Sequence, residues 1–255
     1  MIPIFDSLAH PTISKKWFDS KETTSFSNYS NQLKQAGFKN GFAVGINELE
    51  KYEHRLYFER AAKFDNITPI AGIDVHSKNI INEINEIKEI GFKGVKIHSR
   101  FNNLDLKSER FKFILKELDN LEMPLILCTY FFQKQSRLYI NPFELFELFE
   151  TLNKTNILLA HGGVFDLLTY AELSKHFKNV YIDLSFTINK YKGSSLDHDI
   201  KYLFENFDQK LTIGSDYPDF DLVNTRERFD FFSKNLTTVK KENIAFANLE
   251  KFIGL

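Results

Sequence analysis

The chain has one cysteine, Cys128, in 255 residues, so no internal disulfide can form and a reducing cytoplasm is the expected compartment. It also lacks an excess of charge. The 33 basic residues against 34 acidic ones leave a net charge of -1, and the basic residues are scattered rather than striped. Such a surface has no long-range field for a polyanion, so nucleic acid is not an expected partner. Long hydrophobic runs are missing as well. The longest nearly apolar stretch, residues 124–132, falls far short of the ~20 residues that span a bilayer, and no membrane association is expected. Met1-Ile-Pro-Ile-Phe-Asp6 has no basic segment and meets a charge before an apolar stretch can develop, which is not the pattern of a signal peptide. No Pro/Gly/Ser-rich linker, low-complexity tract or shift in charge divides the sequence. A single domain over residues 1–255 is therefore expected, large enough to bury a substantial core.

Short apolar runs alternate with longer amphipathic stretches from end to end. The runs at residues 2–5, 41–44, 68–73, 94–97, 124–127, 156–160, 180–184 and 211–213 read as strands. Between them, Ile80, Ile81, Ile84, Ile87 and Ile90 recur at three and four residues, as do Phe111, Ile114, Leu115, Leu118 and Leu121, which is the spacing of a helix face. Gly37 and Gly91 stand where a helix needs a left-handed last residue, and Pro124 closely follows the helix that ends near Leu121. A further helix over residues 143–152 is apolar around much of its girth, with Glu144, Glu147 and Glu150 as a narrow polar stripe. That face offers a surface for a homodimer. Eight strand–helix units in a chain of this length match a (β/α)₈ TIM barrel, an α/β fold. The rival, a doubly wound open sheet, would bind a nucleotide over a Gly-rich turn after the first strand, and Asp6-Ser-Leu-Ala-His10 is not such a turn.

Polar residues close several of these runs: Asp6-Ser-Leu-Ala-His10-Pro11, Lys96-Ile-His98, Cys128-Thr129, Ala160-His161-Gly-Gly163 and Gly214-Ser-Asp216-Tyr-Pro218. A closed barrel of parallel strands points such residues at one mouth, where barrels of this kind hold their chemistry. Of the seven histidines, His10, His76, His98 and His161 lie at or just past strand ends. Strand ends make up roughly an eighth of such a barrel, so about one would fall there by chance. For any one of them, and for His76 and His98 in particular, the plainer alternative is a ring satisfied by local hydrogen bonds. The plainer alternative for Cys128 is a small buried hydrophobe. Lys96, His98, Arg100, Lys134 and Arg137 gather after the fourth and fifth strands, where they suit an anionic small molecule such as a carboxylate; a solvated charged rim is the alternative.

In order along the chain, Asp6-Ser-Leu-Ala-His10-Pro11, Gly91-Phe-Lys-Gly-Val-Lys-Ile-His98, Pro124-Leu-Ile-Leu-Cys128-Thr129, Leu159-Ala-His161-Gly-Gly163, Gly214-Ser-Asp216-Tyr-Pro218 and Asn248-Leu-Glu-Lys-Phe-Ile-Gly254-Leu255 resemble successive blocks of the amidohydrolase-related family. That family comprises metal-dependent hydrolases and decarboxylases on a (β/α)₈ barrel. Its first strand ends in His-x-His, its fifth in His, its sixth in His and its eighth in Asp. By this resemblance His10 matches the second histidine of the first pair, His161 the sixth-strand histidine and Asp216 the eighth-strand aspartate. Leu8 and Cys128 stand where two further histidines belong.

The resemblance leaves two states of the site open. One divalent ion, zinc first, could take His10, Cys128 and Asp216 as its three protein ligands. Alternatively the site works without metal, because Leu8 adds apolar bulk and a thiolate makes zinc-bound water less acidic; the resemblance also implies that some lactone-hydrolysing relatives use no metal. Lys96 could in principle be carbamylated to bridge two ions, but without the first-strand pair a dinuclear centre is not expected. Asp216 is the expected base toward water, and His161 the expected partner of the substrate carbonyl. The expected activity is water attack on the carbonyl of a lactone, ester or amide in an anionic substrate. The alternatives are non-oxidative decarboxylation, which in this family normally needs the metal, and a non-catalytic barrel that has lost its metal and binds a small molecule.

Overall fold

The computed structural model describes residues 1–18, 23–47, 49, 52–131 and 139–255. Eight strands, β1 (Ile4–Asp6), β2 (Phe38–Val44), β3 (Ile67–Ile73), β4 (Val95–Ile97), β5 (Leu125–Cys128), β6 (Ile157–Ala160), β7 (Val180–Asp183) and β8 (Leu211–Thr212), pair in sequence order, every pair parallel. The first and last strands meet through backbone bonds. Ser7 N–H donates to Ile213 O at 3.1 Å, Asp216 N–H to Leu8 O at 2.9 Å and His10 N–H to Tyr217 O at 2.7 Å. The fold is the (β/α)₈ barrel that the strand count and spacing predict.

Strands covered on both faces read as nearly unbroken apolar runs, which is why they were legible. The two faces bury different sets. Phe5, Leu8, Phe42, Val44, Ile70, Ile126, Leu158, Ala160 and Tyr181 fill the barrel interior with Leu249 and Phe252 from the last helix. Alternate residues, such as Val95, Ile97, Leu125, Leu127, Ile157 and Leu159, face the surrounding helices. The alternation decides the site. Because Val95 and Ile97 point outward, Lys96 and His98 point inward, and because Ile126 points inward, so does Cys128.

The helices between strands include α1 (Phe26–Gln35), α2 (His54–Ala61), α3 (Ile80–Ile90), α4 (Glu109–Asn120), α5 (Pro142–Phe149) and α6 (Leu167–Lys175). In α3 the expected stripe is buried through Ile80, Ile84 and Ile87. Its stop is Gly91, whose φ of 107° lets its N–H reach the carbonyls of Ile87 and Lys88. Helix α4 starts at Ser108, whose hydroxyl accepts from Phe111 N–H, and buries Phe111, Ile114, Leu115 and Leu118. The apolar girth of α5 is largely covered by its own chain: Leu145 and Phe149 are buried and Phe146 packs on Phe177, which leaves Phe143 in solvent. Among the described residues no helix is long and apolar enough to cross a membrane.

Candidate active site

The C-terminal ends of the strands surround a pocket of about 270 Å³ lined by His10, Trp17, Lys96, His98, Arg100, His161 and Asp216 among others. A larger cleft, about 820 Å³, runs along the outer flank between α4 and α5 and is lined by lysines, glutamates and leucines without any of these groups. The chemistry therefore sits in the smaller space.

His10 follows β1. Its Nδ1 lies 2.9 Å from Val44 O. A carbonyl can only accept, so Nδ1 carries the proton and Nε2 presents a lone pair to the pocket. That Nε2 stands 3.3 Å from Lys96 Nζ and 3.6 Å from Asp216 Oδ1. Burial first, then Lys96, push the His10 imidazole well below its ordinary range, so the ring is neutral. Trp17 stacks on it at 5.4 Å between centroids and donates its indole N–H to Asp219 at 2.9 Å.

His161 follows β6 and is fixed in the same manner, its Nδ1–H donating to Ser185 O at 3.0 Å. Its own carbonyl accepts from Thr187 at 2.7 Å. The other ring nitrogen is left for the pocket, where the ring shares a hydrogen bond with the Cys128 thiol. Burial opposes a charge on this ring, but Asp216 and Cys128 outweigh it and raise the imidazole above its ordinary range. Cys128 is fully buried; burial works against its thiolate, yet His161, Arg100 and Lys96 bring the thiol down to about 5.

Asp216, in the turn after β8, is 7% exposed, and burial raises its carboxyl to about 6 against the pull of His161 and Lys96. Its backbone is left-handed, φ 58°, as is that of His161, φ 70°. Both strained residues belong to the site, the usual location of such conformations. They are held by buried carboxylates. Asp6 accepts from Ser215 N–H at 2.7 Å and from its hydroxyl at 2.6 Å, with Tyr29 adding a third bond at 2.9 Å. Burial still raises Asp6 to about 7. Asp183, at the end of β7, accepts from the hydroxyls of Ser7 and Ser185 and from Ser185 N–H at 3.1 Å, so it positions the carbonyl that orients His161.

The structure brings together His10, Lys96, His98, Arg100, Cys128, His161 and Asp216. Lys96 is 2% exposed and His98 8%, so neither belongs to a solvated rim. The Arg100 guanidinium lies over the Tyr130 ring at 4.6 Å. Lys134 and Arg137 lie outside the described residues. His76 is not a pocket residue; its Nε2 meets Asn102 O at 2.6 Å. The close approach permitted by Gly162 and Gly163 is to the chain itself. A Cβ on Gly163 would stand 2.2 Å from the Tyr170 ring, and one on Gly162 2.7 Å from Leu167, both residues of α6. Asp6, Asp183, Ser185 and Trp17 carry positioning contacts that the sequence reading did not assign.

The donors as arranged do not fit a metal ion. Leu8 is buried in the apolar interior, and the His10 lone pair already faces an amino group. Among the described residues no group of three or more His, Cys, Asp or Glu side chains is disposed to hold one.

A model of the Amidohydrolase family matches residues 10–248. The chain belongs to that family. No curated protein matches this family member. Solved structures share its barrel. An uncharacterized TIM-barrel protein from Bordetella bronchiseptica is 15% identical with a TM-score of 0.82, covering 99% of each chain. A probable 2-pyrone-4,6-dicarboxylic acid hydrolase from Acinetobacter baumannii, with citric acid bound, is 17% identical with a TM-score of 0.71 over 100% of both chains. A 2,6-dihydroxybenzoate decarboxylase from Rhizobium is 12% identical with a TM-score of 0.78, covering 100% of this chain and 99% of its own. At these identities the likeness is one of fold, and it includes both hydrolytic and decarboxylating members.

Proposed function

We propose that this barrel hydrolyses a carbonyl bond, most simply a lactone or ester, in a small anionic substrate. The observation that carries the reading is that Asp216 and His161, both in left-handed backbone, line one buried pocket together with Lys96 and Arg100, with the His161 ring oriented by the Ser185 carbonyl. In this scheme the substrate's anionic group lies against Arg100. Asp216 takes a proton from water as its oxygen attacks the carbonyl carbon, and the cationic His161 donates to the developing oxyanion. The tetrahedral species then collapses: the C–O bond to the leaving oxygen breaks, and that oxygen takes the proton from the Asp216 carboxylic acid. Water is consumed, and an alcohol and a carboxylic acid result, the acid releasing its proton to solvent. The Acinetobacter baumannii neighbour, a probable hydrolase of a dicarboxylic acid, supports an anionic substrate.

The second reading is decarboxylation, favoured by the Rhizobium neighbour and by an aspartic acid whose raised carboxyl could protonate a carbanion. Both predict that Asp216→Asn lowers turnover by roughly 10²- to 10⁴-fold while substrate affinity stays within a few-fold. Products separate them. A panel of carboxylated lactones, esters and aromatic acids assayed for acid release and for carbon dioxide distinguishes hydrolysis from decarboxylation. Tight binding without either product would leave a binding barrel.

A further inference from the structure

One of the three side chains that would ligate an ion, His10, already meets a cation belonging to the chain, and Asp216 lines the same pocket. Lys96 projects inward from β4, is 2% exposed, and lines the same pocket as Asp216 and His161. Its Nζ stands 3.3 Å from Nε2 of His10. Since the His10 Nδ1–H is committed to the Val44 carbonyl, Nε2 can only accept, and the amino group donates to it. The lone pair used in that bond is the one by which His10 would bind zinc, at ~2.0–2.1 Å. Burial works against the ammonium and lowers the amine from its ordinary range, with the charges of Cys128 and then Asp216 opposing that. Leu8, wholly buried, supplies no further donor.

We propose that the Lys96 ammonium is the resident cation of this site. It occupies the His10 lone pair a divalent ion would need, and it acts beside His161 in polarising the substrate's carbonyl or carboxylate oxygen. Exclusion of metal stands on the geometry alone; the polarising role rests on the hydrolytic reading above. A primary ammonium suits both tasks, being a compact charge with three donors: one bonds His10, and two remain for an incoming oxygen.

The test is metal uptake rather than turnover. The full chain is dialysed against micromolar zinc and its content measured by elemental analysis, beside Lys96→Met and Lys96→Gln, with folding followed by circular dichroism. The native protein is expected to retain well under one equivalent, and a folded Lys96 variant to take up about one, as His10, Cys128 and Asp216 close into the space the amine leaves. Adding His10→Ala to the variant should abolish that uptake. A native protein that retains a full equivalent overturns the proposal, and so do folded variants that take up none. Should both variants fail to fold, the native measurement decides alone. If the native protein is metal-free but no carbonyl substrate is ever turned over, the hydrolytic reading fails while the exclusion of metal stands. If it binds zinc and hydrolyses, the reverse holds.

Discussion

At Asp216 the useful property is a carboxyl raised to about 6 by burial. In the proposed hydrolysis the ionised form is the base, and it is lost as pH falls through that value. Accordingly kcat/KM should decline about tenfold per unit below pH 6, with a limb absent from the residual activity of Asp216→Asn. A stopped pH series on any identified substrate checks this. Leu8 makes the opposite kind of contribution. It packs in the barrel interior at 0% exposure, and Leu8→His should lose the ~1.5–3 kcal/mol associated with burying such a side chain, measured by urea denaturation. His10, His161 and Asp216 were legible because each is polar at the end of an apolar run. Asp6, Asp183 and Trp17 were not, because their partners are 209, 176 and 202 residues away. Nothing local in the sequence says which distant hydroxyl or carboxylate will complete them.

Strands covered on both faces leave the clearest trace, and all eight were found with edges shifted by at most a few residues. The edges moved where chemistry intrudes: β1 runs to Asp6, a carboxylate made compatible with burial by Ser215 and Tyr29, and β5 includes Cys128. The turn between β6 and α6 is set by packing: Gly162 and Gly163, which follow His161, seat Leu167 and Tyr170. Gly163→Ala must accept φ 71° and a clash with the Tyr170 ring. We expect a loss of roughly 2–4 kcal/mol, together with lower kcat because His161 begins this turn. Ser108→Ala, which removes the cap of α4 far from the mouth, should cost about 1 kcal/mol and leave kcat unchanged. Comparing urea midpoints with kcat in the two variants separates stability from site geometry.

Over the whole molecule the charge is nearly balanced, yet Lys96 and Arg100 stand together at the mouth. Attraction of an anionic substrate is therefore local. KM should rise only modestly between low and physiological salt, while Arg100→Met should raise it roughly 10- to 100-fold, and a neutral ester should respond to neither. Initial-rate measurements with a matched charged and neutral pair check this. The barrel also closes at its own site, because β1 and the turn after β8 are tied by Asp6 and Ser215 across 209 residues of chain. The pocket is in this sense a signature of completion: a chain still emerging from the ribosome without its last strand has its histidines and its lysine but not Asp216, and its first strand carries a carboxylate with no hydroxyl from Ser215 to meet it.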